Sequence, residues 1–500
     1  MLKYRNQKKP TAPVRVATDT VIRLGREDDR AILRGMSTNY MMRFDDVLDP
    51  QKLRLSLERL LNRHDWRKLG ARLRLNDDDK LEYHIPAEFT EKRPAIAYSH
   101  VKHNMTISEH PLASKLPKAT SKPAIVGDPS EFRSLSSRPG GPTKLADYIY
   151  TDEPQISLHV VSFSDATLVS LSWLHTLTDV MGRKELLDAW SLVLDGRDNE
   201  VRSLHGFDFD PLEQLHEDAM EVYKLADKTL SRFQLIYFGL RYALESIRFK
   251  DEQRIVCIPG AYVNDIRQKA LQKLNAKTVD VDRGDEKQAV NFVSEGDVLS
   301  AWWLRHAIAH IRRGSNQTVA VFNPFGLRIL FANDLLPRTK AYVGNAVMGA
   351  VTYLSAKDIQ TKPIWDIASA LRQSLVEQTT REQIKGQAKI IRETYARTGY
   401  EPLFGDGGMH FVRYTNWTKA KLFDTDFSAA IVRQGVHDAQ RCTKSGRPSY
   451  IQYDVRMSRY SPRGSFPIYG KDAAGNYWLG GWVRKGLWDV ISKNLKRGFH

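Results

Sequence analysis

Residues 168–190 read LVSLSWLHTLTDVMGRKELLDAW and carry the strongest structural signal in the chain. Val169, Leu171, Trp173 and His175 alternate with Ser170 and Ser172, the period-two pattern of a strand with one apolar face. Gly182 loosens the turn that follows. Leu186, Trp190 and Val193 then recur at helical spacing, Leu187 and Leu194 widen the stripe, and Gly196 ends it. His175 therefore falls where a strand gives way to a helix, held rigidly yet open to substrate, with Asp179 four residues on. That placement makes His175 the candidate general base. Spacing alone is weak support: with 14 histidines in 500 residues, roughly one His-x-x-x-Asp pair arises by chance. The competing reading is a buried, hydrogen-bonded core histidine.

Five hundred residues exceed one compact core and predict two or three domains; a shift to mixed strand and helix over 250–285 marks a second half, giving 1–230 and 250–500. A content of 42% hydrophobic and 27% charged residues fits a globular protein. Two cysteines, Cys257 and Cys442, exclude a disulfide framework and a Cys-rich zinc site and indicate a reducing compartment. The N-terminal MLKYRNQKKPTAPVRV lacks the apolar core of a secretion signal, and no run of 18 apolar residues predicts a membrane span. The sequons at Asn104, Asn316 and Asn416 then read as chance matches. A cytoplasmic location is expected.

The formal net charge of +16 admits nucleic acid, a solvated surface or a phosphate-bearing small molecule as its explanation. Basic residues are dispersed among acids, as in RLRLNDDDK, which argues against nucleic acid.

Elsewhere, residues 50–65 form an amphipathic helix on Leu53, Leu57, Leu60 and Leu61, and residues 69–85 form a hairpin. The Pro-, Ser-, Gly- and Lys-rich stretch 105–145 reads as a surface loop and a possible lid. Helices are expected over 211–228 and 230–249, the latter buried despite an apolar face strong enough for a membrane or a greasy substrate. Strands and helices alternate in both halves, so the fold class is α/β or α+β. No Gly-x-Ser-x-Gly elbow, dinucleotide fingerprint, P-loop or zincin pair occurs, which leaves proton transfer at His175 without a metal.

The His175–Asp179 pair resembles the His-x-x-x-Asp signature of BAHD-type acyl-CoA-dependent acyltransferases. SEGDVLSAWWLR (294–305), with Asp297, looks like the family's Ser/Thr-x-x-Asp helix. Arg328 stands where the family keeps an arginine, and Tyr342-Val343-Gly344-Asn345 resembles its Tyr-Phe-Gly-Asn segment. Asp426-Phe427-Ser428-Ala429-Ala430 occupies the place of Asp-Phe-Gly-Trp-Gly and keeps only its first two residues. The departures point to the fungal branch near trichothecene-type O-acetyltransferases.

The resemblance, over residues 15–495, implies two chloramphenicol-acetyltransferase-like domains with a solvent channel between them. It implies His175 as base, with Asp179 turned away to pair with Arg328 and thereby orient it. It implies Asp426 as support from a distance, with a plain turn residue the alternative; Ala429 stands where the family keeps a tryptophan, so the oxyanion donor is unassigned, with Trp417 and Ser428 as candidates. Lys419, Lys421 and Ser428 become candidates for contact with coenzyme A. The implied cosubstrate is acyl-CoA, most simply acetyl-CoA, and the acceptor a hydrophobic secondary metabolite bearing a hydroxyl. An amine acceptor, or a silent relative that only binds a metabolite, stays open. A monomer is expected.

Overall fold

The computed structural model describes residues 11–280, 292–437, 441–458 and 461–497; the first ten residues of the basic N-terminus lie outside that range. Two mixed sheets, flanked by helices, organise the chain. The first has five strands in the order Pro448–Met457, Met36–Phe44, Thr167–Leu174, Ser157–Ser162 and Ala97–Lys102. The second has seven: Val347–Ser355, Thr318–Gly326, His410–Asn416, Ser465–Lys471, Tyr477–Arg484, Asp251–Ile258 and Ala124–Gly127.

Each sheet borrows an edge strand from the other half of the sequence. Pro448–Met457 runs antiparallel to Met36–Phe44, with Tyr453 opposite Tyr40. Ala124–Gly127 closes the second sheet against Asp251–Ile258. The exchange covers strand edges that would otherwise present unpaired N–H and C=O groups. It also welds the halves: one apolar cluster holds Tyr40, Leu171 and Trp190 together with Ile255, Trp478 and Trp482.

Three sequence expectations need correction. Segment 105–145 is no lid. Ile107, Ala113, Leu116, Phe132 and Leu135 are buried in the main core, and its middle is the borrowed strand Ala124–Gly127. Residues 211–228 form turns ending in a short 3₁₀ turn, Ala226–Lys228. Asp218 takes a left-handed φ of 47°, which breaks a helix, and the apolar residues serve two separate clusters, Leu212 and Leu215 in one and Tyr223 in another.

The third concerns the helix Arg232–Arg248, which forms behind a Ser231–Gln234 capping box. None of its residues is buried, and Phe233 and Ile247 are each 84% exposed. It docks instead through its other side, where Tyr242 donates to the Ser461 carbonyl at 2.6 Å and Arg241 to the Gly407 carbonyl at 3.1 Å. Periodicity identified the helix but not which face the fold would cover.

Candidate active site

The strand Thr167–Leu174 ends at His175, and the helix Val180–Leu194 starts five residues later. Backbone bonds fix the histidine at that corner. Its N–H donates to the Met36 carbonyl at 2.9 Å, and its carbonyl accepts from Asn345 Nδ2 at 3.1 Å. Asn345 is itself held, since its backbone N–H and Nδ2 both donate to Asp28 Oδ1, at 2.6 and 2.8 Å. Burial pushes the Asp28 carboxyl up to about 7, against the pull of those two donors. The imidazole Nδ1 is buried with no hydrogen-bond partner, whereas His175 lines a cavity of about 260 Å³, which leaves Nε2 as the nitrogen open to a ligand. Burial, helped by the nearby Arg183 charge, lowers the His175 pKa below its ordinary value, so the ring is neutral and able to accept a proton at neutral pH.

Asp179 does not reach the ring. Its Oδ1 caps the helix by accepting from Gly182 N at 2.8 Å. Its Oδ2 accepts from Arg328 Nη1 at 2.8 Å and from Ala346 N at 2.9 Å. Arg328 spends its other nitrogens on the carbonyls of Tyr342, at 3.1 Å, and Gly344, at 2.7 Å. Burial alone would raise the Asp179 carboxyl; the Arg328 charge and these donors outweigh it and hold the group below the usual carboxylate range. The pair thus ties the helix start to segment 342–346, whose Asn345 holds the His175 carbonyl. Gly182 is a helix residue, not a turn loosener: a Cβ there would lie 2.1 Å from the Val343 carbonyl oxygen. The glycine is what lets the two segments touch.

The cavity is largely apolar and takes side chains from both sheets, among them Trp173, Phe322, Thr415, Trp417, Tyr453 and Trp482. Trp417 is at the wall, but its indole N–H is committed to Thr415 Oγ1 at 3.0 Å. The other residues of that region are elsewhere. Asp426 is at the surface, where Oδ1 accepts from Ser428 N at 2.9 Å in a turn and Arg447 approaches at 3.9 Å. Ser428, Lys419 and Lys421 are exposed and do not line the cavity. The residue that matters for packing there is Phe427, fully buried against Phe44 and Trp190 at ring distances of 5.4 and 4.6 Å. Asp297 is a helix cap: it forms a capping box with Ser294 and an ion pair with Arg372. No group of three or more His, Cys, Asp or Glu suited to a metal occurs among the described residues.

Two site residues escaped the sequence reading. Asp28 carries no motif signal, since it acts only through Asn345. Arg183 reads as an ordinary helix residue, yet it is 2% exposed and lines the cavity.

Comparison with known proteins gives this arrangement its class. Residues 142–439 match the model described as the Transferase family. The chain is 46% identical to "Transcriptional regulator calD" of Penicillium decumbens, over 98% of each chain. It is 39% identical to "Acetyltransferase sphE" of Aspergillus fumigatus, over 97% of this chain and 96% of the relative. It is 37% identical to "Acetyltransferase adrJ" of Penicillium rubens, over 98% of each. Among solved structures, TRI101 of F. graminearum in complex with coenzyme A and T-2 mycotoxin superposes with a TM-score of 0.66 at 13% identity, covering 94% of this chain and 96% of that one. Vinorine synthase does so with a TM-score of 0.58. The chain belongs to the Transferase family, the BAHD-type acyltransferase class, and its mixed α/β fold is that of these neighbours.

Proposed function

We propose that this protein is an acyl-CoA-dependent O-acetyltransferase that acetylates a hydroxyl of a hydrophobic secondary metabolite, with His175 as general base. One observation carries the reading: an imidazole at a strand end, its Nδ1 buried and its ring opening into a largely apolar cavity lined from both sheets. His175 Nε2 takes the acceptor's proton as its oxygen attacks the thioester carbonyl carbon. The tetrahedral intermediate collapses, the C–S bond breaks, and the leaving thiolate recovers the proton from the imidazolium. Asp179 and Arg328 act as positioning residues, keeping the helix start and segment 342–346 in register with His175. The cavity is read as part of a solvent channel between domains 1–230 and 250–500, with coenzyme A and acceptor meeting at His175.

Relatives named acetyltransferases at 37–39% identity support the reading. The name of the 46% identical relative describes a transcriptional regulator and is kept for that protein. The same reading takes the chain as a cytoplasmic monomer whose partners are acyl-CoA and the acceptor, not nucleic acid; no helix among the described residues is long and apolar enough to cross a membrane. The test is thiol release from acetyl-CoA by purified protein offered a panel of hydroxylated metabolites and their amine counterparts. Release with alcohols is expected. Release with amines alone would replace O- by N-acylation. Acetyl-CoA binding without release from any acceptor would leave a silent binding relative.

A further inference from the structure

Arg183 is a buried cation in the wall of the cavity. The guanidinium is 2% exposed, and its Nε and Nη2 are buried without any hydrogen-bond partner. Among the described residues it makes no ion pair. The two carboxylates that line the cavity are engaged elsewhere: Asp179 by Arg328, Gly182 and Ala346, and Glu27 by Arg26 at 3.0 Å and Arg30 at 3.5 Å. A buried cation without an anion carries a large desolvation penalty. Four rings meet part of it. The guanidinium carbon lies 4.4 Å from the Tyr40 centroid, 4.8 Å from Trp417, 5.5 Å from Tyr453 and 5.7 Å from Trp173. These rings come from three separate strands and the segment after a fourth, so the cage is a tertiary construction around one charge.

The cage surrounds the guanidinium carbon with rings and supplies none of its nitrogens with an acceptor. Of its nitrogens, Nη1 is the one neither fully buried nor bonded, and the residue borders the cavity that His175 also borders. Arg183 lies one turn into the helix whose N-cap is Asp179, its N–H donating to the Asp179 carbonyl at 2.9 Å. The cationic edge and the base therefore look into one apolar space from neighbouring points.

We infer that Arg183 is an anion-binding post for the acceptor, so that the acceptor carries a carboxylate in addition to the hydroxyl acylated at His175. The inference rests on the acyltransferase reading for the fate of the hydroxyl but not for the binding of the carboxylate. In a largely apolar cavity a charge-assisted bond to Nη1 strengthens, because little water competes for it. The ligand supplies the counter-charge the chain withholds. The residue then trades stability of the empty protein for selectivity among acceptors.

The experiment uses three probes of one chain length: hydroxydecanoate, its methyl ester, and decanol. Turnover is read as thiol release from acetyl-CoA, and binding separately by calorimetry without acetyl-CoA. In the wild type the acid is expected to exceed the ester in kcat/KM and in affinity by about tenfold or more. In Arg183→Met that ratio falls to about one, and Arg183→Lys restores part of it. The Met variant is expected to melt at a higher temperature than the wild type, since an uncompensated buried charge has been removed.

Equal binding of acid and ester by the wild type overturns the proposal, and so does a ratio unchanged in Arg183→Met. A fall in kcat shared equally by all three probes also overturns it, because Arg183 would then serve the reacting carbonyl. Should the Met variant fail to fold, the wild-type ratio and the Lys variant still decide. Preferential binding of the acid without thiol release would leave the anion post standing and remove the acyltransferase reading instead.

Discussion

The segments around His175 and around Asp426 both resemble motifs of the same family, the first keeping its signature and the second only its first two residues, and the fold treats them oppositely. Around His175 the charged groups are drawn inside, and all but Arg183 are matched by polar partners. Asp179 meets Arg328 at 2.8 Å and Asn345 meets Asp28 at 2.8 Å, and both contacts converge on the segment that holds the histidine carbonyl. Around Asp426 the charged groups stay in water and the apolar one goes in: Asp426, Lys419, Lys421 and Ser428 are exposed, while Phe427 is fully buried. A buried polar side chain must be paired, and pairing fixes its direction. An exposed one is free to turn. The difference teaches that the first segment is built to aim a group and the second to anchor a chain.

Breaking the first segment should therefore cost far more than breaking the second. Arg328→Ala leaves Asp179 as an unpaired buried carboxylate, a loss expected at about 3–5 kcal/mol, read as a lower midpoint in chemical denaturation. If denaturation midpoint and turnover both matched the wild type, the pairing would have no architectural role. Gly182→Ala forces a methyl against the Val343 carbonyl oxygen and should cost about 1–3 kcal/mol through backbone displacement. Its turnover should fall with its stability, because Val343 adjoins the segment that holds the histidine. At the second segment, Lys419→Ala and Lys421→Ala should stay within about 0.5 kcal/mol and keep an unchanged KM for acetyl-CoA. A tenfold rise in KM would instead place these lysines in contact with the cosubstrate.

Acid provides a comparison within the core. His159, His306 and His310 have pKa values pushed down to about 4 by burial, and His410 to about 3 by burial and by His310 beside it. Their ordinary value is 6.5. The unfolded chain thus takes up protons first as pH falls below 6.5, so these four rings make stability drop between there and about 4, outweighing Asp28, whose raised carboxyl works in the opposite sense up to about 7. A melting temperature that rises over that interval would contradict the burial of these rings. His175 shifts in the same direction, so activity should hold at neutral pH and fall only below its ordinary value.

What could be read in advance follows from the range of the interactions involved. The strand, the turn and the helix around His175 are local, and a period of two passing into a helical stripe declares them. The Asp179–Arg328 pair spans 149 residues, and no spacing rule reaches that far; it came from the family resemblance alone. Arg183 was invisible because an arginine in a helix reads as solvated, and only Tyr40, Trp417 and Tyr453, remote in sequence, make it otherwise. The exposed face of Arg232–Arg248 was misread for the converse reason. Its apolar stripe is strong, but burial depends on what other segments cover, and they cover the side of Tyr242. Segment 105–145 misled through composition, since its prolines and lysines outnumber the few apolar residues that seat it.

The central claim is a division of labour in which His175 supplies the chemistry and Asp179 with Arg328 the architecture. Thiol release from acetyl-CoA by His175→Ala, in the presence of an acceptor turned over by the wild type, tests it most directly. The account predicts a fall in kcat of roughly 10²–10⁴ with the fold retained, because the His175 backbone bonds to Met36 and Asn345 do not need the ring. Turnover equal to that of the wild type would contradict it.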